Sequence, residues 1–177
     1  MSYTYEYPHP AVTVDIVVFT IENDELKVLL IQRDQEPFEG QWAIPGGFID
    51  IDERLSDAAK RELKEETGVS AADLEQLYTF GNPDRDPRER IITVAYYALI
   101  PSDQLSITAG ADARDAQLFG MNELPELASD HGNILRVAKQ RVTDRLNDAY
   151  FAFRILPKTF TMYELRRVHE LFLGETL

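Results

Sequence analysis

Three glutamates, Glu62, Glu65 and Glu66, stand at i, i+3 and i+4 within residues 47–69. On an α-helix those positions share one side, with neighbouring Cβ atoms about 5–6 Å apart. Carboxylates that close repel one another and work against the helix they sit on. A hard divalent cation reverses the balance, because Mg²⁺ prefers carboxylate oxygens and usually binds substrate phosphates as well. The competing reading is a solvated, charge-laced helix with no ligand.

The surrounding residues give this helix an inward side. Leu55, Ala58, Ala59 and Leu63 recur at three- and four-residue spacing and form an apolar stripe. Glu62 follows Ala58 by four and Ala59 by three, and Glu66 follows Glu62 by four, so both carboxylates are expected beside the stripe, facing the body of the protein. Arg54, Asp57, Lys60 and Lys64 fall on the solvent side. Acids that are half-buried need a partner. A metal would serve, and Arg61 is placed to hold Glu53 from the preceding loop. Gly68 is expected to end the helix as its C′ glycine.

The spacing is more specific than the helix alone. Gly47 is followed after five residues by Glu53, and after seven more by Arg61-Glu62-Leu63, then Glu65-Glu66, Gly68 and Val69. This pattern resembles the complete signature of the Nudix hydrolases. That resemblance implies an α/β/α sandwich and the cleavage of nucleoside diphosphates linked to a second group X, with Mg²⁺ or Mn²⁺. It implies metal binding by Glu62 and Glu66. Glu65 would bind a further metal or help activate water, and Arg61 and Glu53 would brace the others. Gly46 either closes a turn, since paired glycines let the backbone bend sharply, or offers its main-chain carbonyl to the metal, as the resemblance implies.

Charge narrows the partners. The 177 residues carry 31 acidic and 18 basic side chains, a net charge of −13. Such a field repels nucleic acid and anionic membranes at long range. A small anionic substrate therefore has to be caught by local basic groups and metal. No apolar run approaches the roughly 18 residues of a membrane span. No signal peptide is visible, and the absence of cysteine excludes disulfides and thiolate metal sites. A cytoplasmic protein is expected.

In chain order, residues 1–10 read as a Tyr- and Pro-rich arm. Residues 11–21 and 26–32 are β-branched and apolar, joined by a polar turn at 22–25, and predict a hairpin. Further strands are expected at 74–80, 90–100 and 116–121, with loops at 81–88 and 101–112. An amphipathic helix is expected over 130–150. Thr161 and Glu164 form a capping-box pattern at the start of a last helix, with Phe160 and Leu165 as its staple. Together these elements predict α/β architecture, a mixed sheet with helices on its faces. The expected organisation is an arm at 1–10, a domain at 11–152 and a helical extension at 153–177.

Beyond the box, residues 28–33, 36–48, 77–88 and 94–100 are similar to bacterial ADP-ribose pyrophosphatases and to Nudix-related regulators of NAD metabolism. The first resemblance implies hydrolysis of ADP-ribose to AMP and ribose 5-phosphate. The second implies an ADP-ribose sensor whose winged helix would begin near residue 155, although the chain ends at Leu177 with no recognition helix or wing. Hydrolysis of another dinucleotide or of an oxidised nucleoside triphosphate is the third reading. Arg33, Arg85, Arg88 and Arg90 are the candidates for phosphate capture, because the planar guanidinium pairs with phosphate. Phe38, Trp42, Phe80 and the N-terminal tyrosines are candidates to stack on adenine, although Trp42, beside Ile44 and Phe48, also suits the core. Glu89 leads Asp115 and Glu123 as a general-base candidate on a loop away from the box. His131 is read as a cap or packed side chain, and a homodimer is expected by analogy.

Overall fold

A computed structural model describes residues 3–110 and 113–177. Met1 and Ser2 of the expected arm, and Ala111 and Asp112 of the expected loop, lie outside the described residues. The elements in order are β1 (Ala11–Glu22), β2 (Glu25–Arg33), β3 (Trp42–Ala43), β4 (Gly46–Phe48), α1 (Leu55–Thr67), β5 (Glu75–Phe80), β6 (Ile91–Leu99), β7 (Ala113–Gly120), α2 (His131–Arg145), α3 (Ala149–Ala152) and α4 (Met162–Leu173).

β1 organises the sheet. It is buried at eight consecutive positions, 13–20, as a strand covered on both faces must be. It pairs in parallel with β6 and antiparallel with β2 and β4, while β5 closes one side on β6 and β7 lies against β2. The predicted hairpin is present. Asn23 and Asp24 form its turn, with φ of 54° and 63°, the left-handed pair whose twist matches the strands.

Because side chains alternate along a strand, β1 feeds two cores. Val14, Ile16 and Val18 meet Ala58, Ala59 and Leu63 of α1 on one face. Val17 and Phe19 meet Ile134, Leu135, Ala138 and Val142 of α2 and Val168 and Phe172 of α4 on the other. The result is the expected α/β/α sandwich on a mixed sheet. Thr13 and Asp15 have the parity of Val17 and Phe19, so their side chains lie on the α2 face of the strand.

The last helix packs into the same core as α2. Phe172 meets Phe19 edge-on at 5.6 Å, and Arg167 reaches Asp24 in the β1–β2 turn at 2.7 Å. The predicted capping box of α4 is formed in both directions. At the start of β5, Glu75 accepts from the Tyr97 hydroxyl at 3.0 Å and pairs with Arg145 and Arg154. The Arg145 guanidinium also lies 4.0 Å from the Phe151 ring centroid.

Two sequence expectations shift. The helix expected over 130–150 ends at Arg145, because the Asp148 backbone is extended and its side chain accepts from Tyr150 N to start a separate short helix. β7 begins at Ala113, three residues before the expected start, since it runs the length of β2 as far as Arg33. Among the described residues no helix is long and apolar enough to cross a membrane.

Candidate active site

α1 lies with its acidic edge against β4. Its stripe is buried at Ala58, Ala59 and Leu63, whereas Arg54, Asp57, Lys60 and Lys64 are exposed. Gly68 ends it with φ of 71°. Glu62 and Glu66 turn inward, and Gly46 N donates to Glu66 Oε2 at 2.8 Å. Glu65 is exposed. Arg61 grips both Glu53 oxygens at 2.8 Å, Glu62 Oε1 at 2.6 Å, Glu65 Oε2 at 3.2 Å and Phe48 O at 3.1 Å. It binds helix, loop and strand into one frame, and its pairing holds the Glu53 carboxyl down at about 2.

The inward acids are poorly solvated. Burial, with Glu62 and Asp15 nearby, pushes Glu66 up to about 8, against the weaker help of Gly46 N–H and Arg33. Burial also raises Glu62, opposed by Arg61. Among the described residues no three acidic or histidine side chains are already gathered into a metal cage. The donors present nevertheless suit a hard divalent ion: two inward carboxylates that burial leaves poorly solvated.

Beside this edge a cleft opens, lined by Thr13, Asp15, Arg33, Phe38, Gly46, Gly47, Phe48, Arg85, Asp86, Arg88, Ser129 and His131. A second hollow joins it to the acids, lined by Arg33, Gly46, Gly47, Glu62 and Glu66. Arg33 thus belongs to both. Its guanidinium donates to the carbonyls of Pro37 at 2.8 Å and Gln35 at 3.5 Å, with no carboxylate partner among the described residues. Burial, then Arg88, lowers its pKa, against Glu66, Asp86 and Asp15 nearby.

The other arginines differ. Arg88 is held by Asp86 at 2.9 Å and lies over the Phe48 ring. Arg85 is already spent: it is buried and bonds both oxygens of Asp130, at 2.8 and 3.1 Å. Arg90 donates to Gly81 O and does not line the cleft. Phe38 lines it. Trp42 instead packs edge-on against Phe119 at 4.6 Å, and Phe80 is buried in the core. Glu89 is exposed on its loop and does not line the cleft, nor do Asp115 and Glu123.

At the floor of the cleft lies Asp15, which no sequence motif singles out. Asp15, 6 % exposed, accepts from Thr93 Oγ1 at 2.6 Å. His131 Nδ1 accepts from Ile44 N at 2.9 Å, which ties the start of α2 to the segment leading into Gly46. Burial lowers the His131 pKa, so the ring is neutral, with its proton on Nε2. The signal for Asp15 was its isolation: one acid inside a β-branched strand must find a partner.

The two glycines of β4 are close-packed for different reasons. A Cβ on Gly46 would lie 2.1 Å from Val14 O, whereas one on Gly47 would lie 2.6 Å from the Glu62 carboxylate. Gly46→Ala is therefore expected to destabilise the fold by about 3 kcal/mol, because a backbone carbonyl cannot give way. Gly47→Ala is expected to melt near the wild-type temperature but to lose about 10²-fold in turnover by displacing Glu62. Thermal melts and kcat for both variants check the contrast; equal melting temperatures would break it.

Comparison with known proteins shows the family of the chain. Residues 9–138 match the NUDIX domain family. The chain is 36 % identical over 176 residues to an ADPR responsive transcriptional repressor, NtrR, of Acinetobacter baylyi, covering 97 % of this chain and 70 % of the relative. It is 42 % identical over 130 residues to the ADP-ribose pyrophosphatase of Methanocaldococcus jannaschii, covering 73 % of each. A MutT/nudix family protein from Enterococcus faecalis superposes with a TM-score of 0.89 at 37 % identity, over 98 % of this chain and 77 % of that one.

Proposed function

This chain belongs to the Nudix family, and from that premise we propose that it is a metal-dependent hydrolase that splits ADP-ribose into AMP and ribose 5-phosphate. The observation that carries the reading is the joining of a carboxylate edge to a cationic cleft: Glu62 and Glu66 share one hollow with Gly46, Gly47 and Arg33, and Arg33 also lines the cleft beside it. The 42 % identity to an ADP-ribose pyrophosphatase supports the choice of substrate.

In this reading Glu62 and Glu66 hold Mg²⁺ or Mn²⁺, with Glu65 and the Gly46 carbonyl as further donors. The metal supplies Lewis acidity toward the diphosphate and a more acidic water. Arg33 and Arg88 bind the diphosphate oxygens, and Arg61 with Glu53 keeps the acids in register. Water adds to one phosphorus as the bridging P–O bond breaks, and the bridging oxygen leaves with the other phosphate. A bound cation would have to share Glu62 with Arg61, whose 2.6 Å bond already uses one of its oxygens. Phe38 is the aromatic face that lines the cleft, and it takes the base or the sugar.

A second reading has one specific support. The relationship to a transcriptional repressor extends over 97 % of this chain, so the same cleft would serve to sense ADP-ribose without turning it over. Incubation with ADP-ribose, NADH and an oxidised nucleoside triphosphate, each with Mg²⁺ and with Mn²⁺, separates the readings. AMP release from ADP-ribose at the highest kcat/KM is expected. Tight ADP-ribose binding with no product overturns the hydrolase in favour of the sensor.

A further inference from the structure

At the floor of the cleft, Asp15 Oδ1 and His131 Nε2 face each other at 3.9 Å. That is too far for a hydrogen bond between them. Thr93 occupies the other carboxylate oxygen, Oδ2, and Arg85 Nη2 stands 3.9 Å from it while bonded to Asp130. Among the described residues Oδ1 has no hydrogen-bond donor, although Asp15 is 6 % exposed. His131 cannot turn away, because its Nδ1 is held by Ile44 N at 2.9 Å. With Nδ1 accepting, the neutral ring carries its proton on Nε2 and aims a donor into the same gap.

The gap thus presents one fixed acceptor and one fixed donor. An atom about 2.8 Å from each closes the triangle with two bonds of ordinary length. An anion there would be repelled by Asp15, and a cation or amine would meet the His131 N–H. A hydroxyl satisfies both, donating to Oδ1 and accepting from Nε2–H. The geometry points to a sugar-hydroxyl subsite in which Asp15 and His131 hold a pentose esterified to the diphosphate. This rests on the reading of the cleft as a nucleoside diphosphate site and adds to it a reason for preferring glycosyl substrates. Asp15 is then a specificity-determining residue, touching the ligand away from the reacting phosphorus.

The test compares three substrates on the wild-type enzyme and on Asp15→Asn. They are ADP-ribose, the ADP ester of cyclopentylmethanol, which keeps a five-membered ring but removes the hydroxyls of X, and the ADP-ribose analogue whose adenosine is 2′,3′-dideoxy. Wild-type kcat/KM is expected to fall by at least about tenfold for one of the two deoxygenated substrates, the usual consequence of leaving a site acceptor without the hydroxyl it is built to bind. The one that falls identifies the pentose. Asp15→Asn is expected to raise KM for ADP-ribose and to erase that preference, with kcat little changed.

If the wild-type enzyme treats all three within threefold, the gap holds only water and the inference fails. It fails equally if Asp15→Asn weakens all three by one common factor, as a purely structural aspartate would. The wild-type comparison stands even if the variant does not fold. A protein that neither turns over nor binds any of the three overturns the nucleoside diphosphate reading itself, a result distinct from equal handling of all three.

Discussion

Glu66→Gln is expected to lower kcat for ADP-ribose by about 10³-fold, equivalent to about 4 kcal/mol of lost transition-state stabilisation. The substitution keeps the shape of the side chain and an oxygen able to accept from Gly46 N, the 2.8 Å bond seen at Glu66 Oε2. It removes the charge that a divalent ion would use. The fold should not suffer. Burial already pushes the Glu66 carboxyl up to about 8, so a neutral amide relieves the cost of a buried charge. The expected signature is a lost rate, weakened Mn²⁺ binding by calorimetry and an unchanged or higher melting temperature. A rate within a few fold of wild type would remove Glu66 from the metal set.

Arg85→Met is expected to act on the fold instead, at a cost of about 3 kcal/mol, as follows when one partner of a buried ion pair is removed. In a chain of this length that is a fall of about 9 °C in melting temperature. Arg85 bonds both oxygens of Asp130 and stands 3.9 Å from Asp15, so its loss leaves two carboxylates close together without a cation. Ser129 also donates to the Arg85 carbonyl, which anchors the loop at 81–90 to the start of α2. In the double variant Arg85→Met/Asp130→Asn part of the loss should return, because one uncompensated charge has gone; a double-mutant cycle measures that coupling. A shift of under about 1 °C for Arg85→Met would mean that the pair contributes no more than an exposed one.

The fold separates residues that composition alone treats alike. Arg33, Arg85, Arg88 and Arg90 all stand near apolar strands and all suit phosphate. Arg33 keeps its charge available because carbonyls hold it, whereas Arg85 is neutralised by Asp130. Phe38, Trp42 and Phe80 divide in the same way. Phe38 reaches the cleft, while Trp42 meets Phe119 and Phe80 is buried on the α2 face of the sheet. Which aromatic or cation is free depends on the partner that tertiary packing brings to it.

The sequence by itself determined what depends on neighbours within a few turns: the apolar stripe of α1, the inward pair Glu62 and Glu66, the hold of Arg61 on Glu53, the Gly68 cap, the β1–β2 hairpin and the capping box of α4. These follow from periods of 3.6 and 2 and from turn and cap chemistry, all of which a local window contains. Only the tertiary structure decided the floor of the cleft. Arg85 meets Asp130 across 45 residues, Asp15 meets Thr93 across 78, and Ile44 meets His131 across 87. No periodicity links such positions. They meet because β1 and β6 pair in parallel and α2 starts where that pair presents Asp15, and burial makes these pairings costly to break.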